Sequence, residues 1–272
     1  MSNINFAHFI QWEKIADNEI DPTLAELREM KVNNLVIHPH WWIKDEKNGN
    51  FLKKIIRKMQ ANGFAGSACH GLWGNEYDLN CPDENKRQKI IMSHVSFIEN
   101  LGDTDCFTYT VHLGERHAGF TKAHLYEQVR KSLDSLLPAA EKNSIKIAME
   151  NMIDYDTSVE LAELAAEYNH PNLGLCLDTG HAHVKEGLEN AIDNMKDYLV
   201  TCHLHDNDGS SDQHLPPGYG SIEWQKLVSK LKACPNIINA ETEAGDTDNV
   251  SRKENWQMFQ KVWKESLCKD YH

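Results

Sequence analysis

What most constrains this chain is a repeat of kind rather than of letters. Eight times over, a short apolar or β-branched run is followed by a polar turn and then a stretch with helical periodicity. The runs are 6–10, 34–40, 63–70, 106–114, 145–151, 172–181, 199–208 and 237–243. The intervening helices are expected over 22–31, 50–62, 84–101, 122–143, 157–169, 186–196, 221–233 and 251–267. Three of them carry start signals: Asp21 as a cap before Pro22, Asp156 or Thr157 before "SVELAEL", and Ser221 before "IEWQKLV". Eight strand–helix units in one uninterrupted chain predict an α/β fold, a (β/α)8 TIM barrel forming a single domain over 1–272. The alternative, a doubly wound open sheet, favours a Gly-rich phosphate loop after the first strand, and no G-x-G-x-x-G occurs there.

From the third run to the eighth the ionisable residues fall in a consistent place, at or near the end of the run, just before the turn. They are His70, His112, Glu150, Asp178, His181, His203, Asp206 and Glu241. In a β/α barrel these ends converge on one mouth, where active sites are built. Glu150, Asp178 and Glu241 sit in otherwise apolar strands ("IAMEN", "LCLDTGH", "INAETE"), where a carboxylate must be paired or coordinated. Lys and Arg are absent from those strand ends, so a divalent metal ion is the economical counter-charge. Carboxylates with imidazole suit Mn, Co, Mg, Fe or Zn and do not choose among them. Cys176 and Cys202 each lie near these residues, but cysteine is also a common core filler, and neither is assigned a role.

Composition narrows the partners. The formal net charge is −13, which argues against nucleic acid and leaves room for a local positive site made by metal. Seven cysteines, an odd number with no C-x-x-C pair, fit reduced thiols in a cytosol better than a disulfide framework or zinc ribbon. The first residues lack a basic segment and a long apolar run, so neither a signal peptide nor a membrane span is expected, and the reading is cytoplasmic. Assembly into a homo-oligomer is left open.

At this point the residues resemble a family. "MEN", "CLDTGHAH", "CHLHD", "DQHLPPGYG" and "AETE", in this order and spacing, are similar to the sugar phosphate isomerase/epimerase superfamily, whose xylose isomerase-like barrel is shared with endonuclease IV. The resemblance spans about His70 to Glu241. It implies one metal held by Glu150, Asp178, His203 and Glu241, and a substrate-facing role for His181. Endonuclease IV uses more ligands, and matches to its additional positions occur at His70, His112, His181, Asp212 and His214. These five either face substrate or hold a second or third ion. The stretch around "DGSSDQHLPPGYG" is then expected to fold back over the mouth, with Pro216, Pro217, Gly218 and Gly220 fixing the turn.

The resulting expectation is a divalent-metal-dependent isomerase or epimerase acting on a small carbohydrate: a sugar, keto-sugar or polyol derivative. Glu150 and Glu241 exchange a proton next to a carbonyl, and the metal stabilises the enediolate. The rivals are an endonuclease IV-like zinc phosphodiesterase, an inosose dehydratase-like lyase, and a non-catalytic sugar- or metal-binding barrel. The mouth loops "HPHWWIKDEKNG", "GLWGNEYDLNCPDE" and "NDGSSDQHLPPGYG" are acidic or mixed and rich in Trp and Tyr. That suits sugar rings better than a DNA backbone.

Overall fold

The computed structural model of the protein describes residues 4–44, 46, 49–245 and 250–265. In chain order the elements are β1 (Asn5–His8), α1 (Ile20–Glu29), β2 (Asn34–Ile37), α2 (His40–Ile43), α3 (Asn50–Ala61), β3 (Ala65–His70), α4 (Glu84–Leu101), β4 (Thr108–Val111), α5 (Lys122–Lys142) and β5 (Lys146–Glu150). They continue as α6 (Ser158–Tyr168), β6 (Leu173–Asp178), α7 (Thr179–Lys185), α8 (Leu188–Met195), β7 (Leu199–Leu204), α9 (Trp224–Ala233), β8 (Asn239–Thr242) and α10 (Arg252–Glu265). The eight strands are parallel and close on themselves in the order β1 to β8. The barrel expected from the eightfold unit is therefore the fold.

The strands are short and buried on both faces, as they must be when helices cover the sheet and side chains fill its interior. All six residues of β6 and of β7 are buried. The outer core packs strand residues such as Leu175, Leu199 and Ile147 against helix residues such as Leu133, Leu164 and Leu231. Inside the barrel the filling is partly polar. Asn239 Nδ2 donates to Ser67 O at 3.0 Å and Thr108 Oγ1 at 2.7 Å, while Thr201 Oγ1 donates to Glu241 Oε1.

Helix starts only partly follow the expected caps. Thr157 caps α6 with a full capping box, accepting from Glu160 N while Glu160 Oε2 accepts from Thr157 N. The other two caps are corrected. Helix α1 begins at Ile20, so Asp21 and Pro22 lie inside its first turn, and Glu19 precedes it without a side-chain cap. Helix α9 begins at Trp224 after Glu223, and the Ser221 hydroxyl instead meets His183 Nε2 at 2.8 Å. The run expected over 172–181 also splits: β6 stops at Asp178, whose side chain accepts from His181 N at 2.7 Å and starts α7. His181 is therefore a helix residue.

Six cysteines are free thiols and buried; Cys268, the expected end of the last helix (266–267) and Asp45, Lys47 and Asn48 of the first mouth loop lie outside the described residues. Among the described residues no helix is long and apolar enough to cross a membrane.

Candidate metal centre at the barrel mouth

Barrel geometry decides which strand-end residues meet. Closing eight tilted strands shifts the register as one moves round the sheet, so residues at one height are not always hydrogen-bonded neighbours. His70 pairs with Thr110, yet it faces His112, two residues further on, at a ring separation of 5.2 Å. Val111 pairs with Met149, and the next residues, His112 and Glu150, meet at 3.2 Å. Glu150 pairs with Cys176, and Asp178 lies two residues further on. Asp178 pairs directly with His203, and His203 with Glu241. The final step again rises by two residues. His203 Nδ1 is 3.1 Å from Glu243 Oε2, whereas His203 Nε2 and Glu241 Oε2 are 3.6 Å apart.

Glu150, Asp178, His203 and Glu243 thus present ligand atoms all within 4.8 Å of one another, and His70, Glu150 and His203 form an overlapping group. Glu241, expected in that set, lies one layer deeper beside Thr201. Glu150, Asp178 and Glu243 line a cavity of about 300 Å³ that also touches His70, His112, His181, Asp212 and His214. Glu241 is not among its lining residues.

The donor set fits a divalent cation. Both ring nitrogens of the buried His203 and Oε2 of Glu243 make no hydrogen bond among the described residues; Oε2 of Glu241, outside the four-residue set, is unpartnered too. Buried polar atoms normally find a partner, and three carboxylates around an imidazole are held apart without added positive charge. Burial pushes the His203 pKa down, but Cys176, Glu243 and Glu150 outweigh it and raise it well above the usual imidazole value. Burial raises Glu150, but His203 and His112 hold it well below the usual carboxylate range. His70 shows the opposite balance: burial, then His203 and His112, drop it to about 3, and its Nδ1 donates to Gly71 O at 3.1 Å. That leaves a neutral imidazole whose Nε2 faces Glu150 and Glu243, each 3.9 Å away.

A second group, His205, Asp212 and His214, sits beside the first. The loop folds back as expected: Asp206 and Leu215 exchange backbone hydrogen bonds of 2.7 and 2.8 Å. Gly220 has no room for a Cβ, which would fall 2.2 Å from Asn207 O. Asp206 was expected in the mouth ring. Instead it accepts from Gly218 N, Ile222 N and Trp224 Nε1 at 2.8–3.1 Å and holds the loop. Asp212 lies 3.3 Å from His181 Nε2 and 3.0 Å from His214 Nε2. Burial lowers both histidines, yet carboxylate partners lift each to about 10: Asp178 and Asp212 for His181, Asp212 and Glu243 for His214.

Sequence reasoning missed three contributors. His205 is fully buried, with Nε2 on Asp178 and its ring stacked on His214 at 4.0 Å and 3°. Asn151 ties β5 to β6, accepting from Asp178 N at 2.8 Å and donating to Asp178 O at 3.1 Å, while its own carbonyl accepts from His181 Nδ1. Glu243 is the third. The signals for His205 and Glu243 were the doubled spacings in "HLH" and "ETE", which put two candidates on the same strand face.

A family model described as the xylose isomerase-like TIM barrel matches residues 24–266. The chain belongs to this family. An uncharacterized protein of Methanocaldococcus jannaschii, MJ1311, is 27% identical over 206 residues, 70% of each chain. A Mycoplasma mobile protein named "Probable endonuclease 4" is 32% identical over 142 residues, 44% of this chain and 50% of its own. Among solved structures, 3-keto-D-glucoside 4-epimerase, YcjR, from E. coli superposes with a TM-score of 0.79 at 15% identity, covering 96% of this chain and 99% of that one. The IolI protein with a bound zinc atom superposes with a TM-score of 0.77 at 17% identity, over 97% and 98%.

Proposed function

We propose that this family member is a divalent-metal-dependent isomerase or epimerase acting on a small sugar, keto-sugar or polyol derivative. The observation that carries the reading is the pair Glu150 and Glu243, carboxylates that line one cavity and both approach His203 Nδ1, at 3.3 and 3.1 Å. Glu150, Asp178, His203 and Glu243 would hold the metal. When bound, the ion supplies Lewis-acid stabilisation of negative charge developing on a substrate oxygen. Glu150 and Glu243 then divide the proton work. One removes a hydrogen from the carbon next to the carbonyl, leaving its electron pair in the enediolate, and the other returns a proton from the opposite face. Return by the same carboxylate to the neighbouring former carbonyl carbon would give aldose–ketose isomerisation instead of inversion. His181 and His214 both face Asp212 at the rim of the same cavity and would position its carboxylate toward substrate hydroxyls.

Glu243 thus takes the role first expected of Glu241. The fold's likeness to sugar epimerases, and to IolI with its zinc, supports the reading. The test is deuterium entry from D2O into carbon-bound positions of ketoses, followed by NMR with metal-loaded protein.

A second reading, a zinc phosphodiesterase, has one specific observation in its favour. The group His205, Asp212 and His214 beside His70 and His112 offers donors for further ions, and one relative is named as an endonuclease. Metal stoichiometry separates the two: one ion per chain supports the isomerase, three the nuclease.

A further inference from the structure

Beside the cavity that holds the metal-binding residues lies a second and larger cleft of about 750 Å³. The two share Trp73, His112, Met152, His181 and Asp212, so they are chambers of one opening. Binding sites for drug-sized molecules run from about 300 to 1,000 Å³. The inner chamber, about 300 Å³, is at the low end of that range and suits one sugar ring. A single ring seated there leaves the outer chamber vacant. We infer that the outer chamber is a subsite for a second, uncharged sugar unit, and that the substrate is an unphosphorylated keto-sugar carrying a glycosidic extension. This rests on the sugar-isomerase reading of the inner chamber.

Two features of the lining carry the inference. Trp73 stands where the chambers join, 37% exposed, with its ring edge-on to His70 at 4.5 Å and His38 at 5.2 Å. A large indole fixed by neighbours and open on one side is a platform for the apolar face of a pyranose. The charges are also wrong for a phosphate. Glu115 and Asp154 are exposed and belong to the outer chamber alone, while Asp78 beneath them is buried and accepts from Glu115 N. The one guanidinium, Arg116, donates from Nη2 to the Asp154 carbonyl at 3.4 Å, and His181 is already paired with Asp212. A phosphate ester there meets like charge at Glu115 and Asp154, whereas carboxylates and carbonyls accept hydrogen bonds from sugar hydroxyls.

The test is calorimetric binding to metal-loaded protein, which needs no turnover. The probes are D-fructose, D-fructose 6-phosphate and a panel of fructose-ended disaccharides, lactulose and isomaltulose among them. The expected result is that at least one disaccharide binds tenfold or more tighter than D-fructose, with no such gain for the phosphate ester. Ile153→Trp, which narrows the outer chamber, and Arg116→Ala should each shrink the disaccharide-to-fructose ratio, by threefold or more. Equal affinity for fructose and every disaccharide, or tighter binding of the phosphate ester, overturns the subsite. Disaccharide preference without deuterium exchange in any sugar overturns the isomerase reading and leaves the subsite standing. Exchange on fructose without that preference does the reverse. No sugar binding at all overturns both.

Discussion

His205 Nε2 lies 3.0 Å from both carboxylate oxygens of Asp178. Its backbone N–H donates to Thr179 Oγ1 at 3.1 Å, and its ring occupies the space a side chain at position 180 would need: a Cβ there would fall 1.9 Å from His205 Cε1. His205 therefore orients a proposed ligand from behind, a role whose loss typically costs 10–100-fold in metal affinity. His205→Ala should weaken metal binding by about that factor. His205→Gln, which keeps a donor, should recover part of it, and Gly180→Ala should displace the ring and mimic the loss. Metal affinity by competition with a chromophoric chelator is the measurement, with circular dichroism as the folding control. Unchanged affinity in a folded His205→Ala variant contradicts the role.

The stagger between β7 and β8 makes Glu243 and Glu241 unequal: Glu243 Oε2 lies 3.1 Å from His203 Nδ1, and Glu241 Oε2 3.6 Å from His203 Nε2. Glu243→Gln should lower metal affinity and turnover together, the latter by about 10²–10⁴-fold if the proton step is lost. Glu241→Gln should leave metal content near wild type and act mainly on stability, through the buried contact with Thr201. Elemental analysis of both purified variants decides between them. Loss of metal in Glu241→Gln with retention in Glu243→Gln would reverse the assignment.

These two residues also mark the limit of what the sequence could tell. Eight runs of the right length, six of them with a singled-out ionisable residue at or near the end, were enough for the barrel and for the convergence of His70, His112, Glu150, Asp178 and His203 on one mouth. Strand endings were read as if they shared a height. Closure staggers them by two residues at some neighbours and none at others, and that stagger is set by hydrogen-bond register, which periodicity does not encode. Asp206 misled for another reason. In "LHDND" its acidity suggested the mouth, but it serves the loop's own N–H groups, a use open to any Asp beside a turn. His181 kept its place at the site although its segment is a helix. Asp178 is at once strand end, helix cap and site residue, and that overlap hid the boundary.

A pH effect on stability is expected at Asp156, away from the metal-binding residues. Burial raises its pKa from 3.8 to about 6, while the hydrogen bond from Tyr126 partly opposes the rise. The folded state thus holds this proton more tightly than the unfolded chain. The associated stability is present below pH 4 and is lost as pH rises through about 6, by about 2–3 kcal/mol in all. Asp156→Asn keeps an acceptor for Tyr126 and removes the titration. Urea unfolding at pH 4.5 and 7.5 should show the variant gaining on wild type at the higher pH. An identical difference at both values contradicts the raised pKa.

The central claim is proton transfer at carbon, assisted by a metal held at Glu150, Asp178, His203 and Glu243. Its most direct test follows the carbon-bound hydrogens of a ketose panel by NMR in D2O. Metal-loaded wild type, chelated wild type and Glu150→Gln are compared, with abasic-site DNA as a parallel substrate. The account predicts deuterium entry next to the carbonyl with the loaded wild type alone, and intact DNA. Efficient cutting of the DNA by loaded protein that exchanges no carbon-bound hydrogen in any sugar would contradict it.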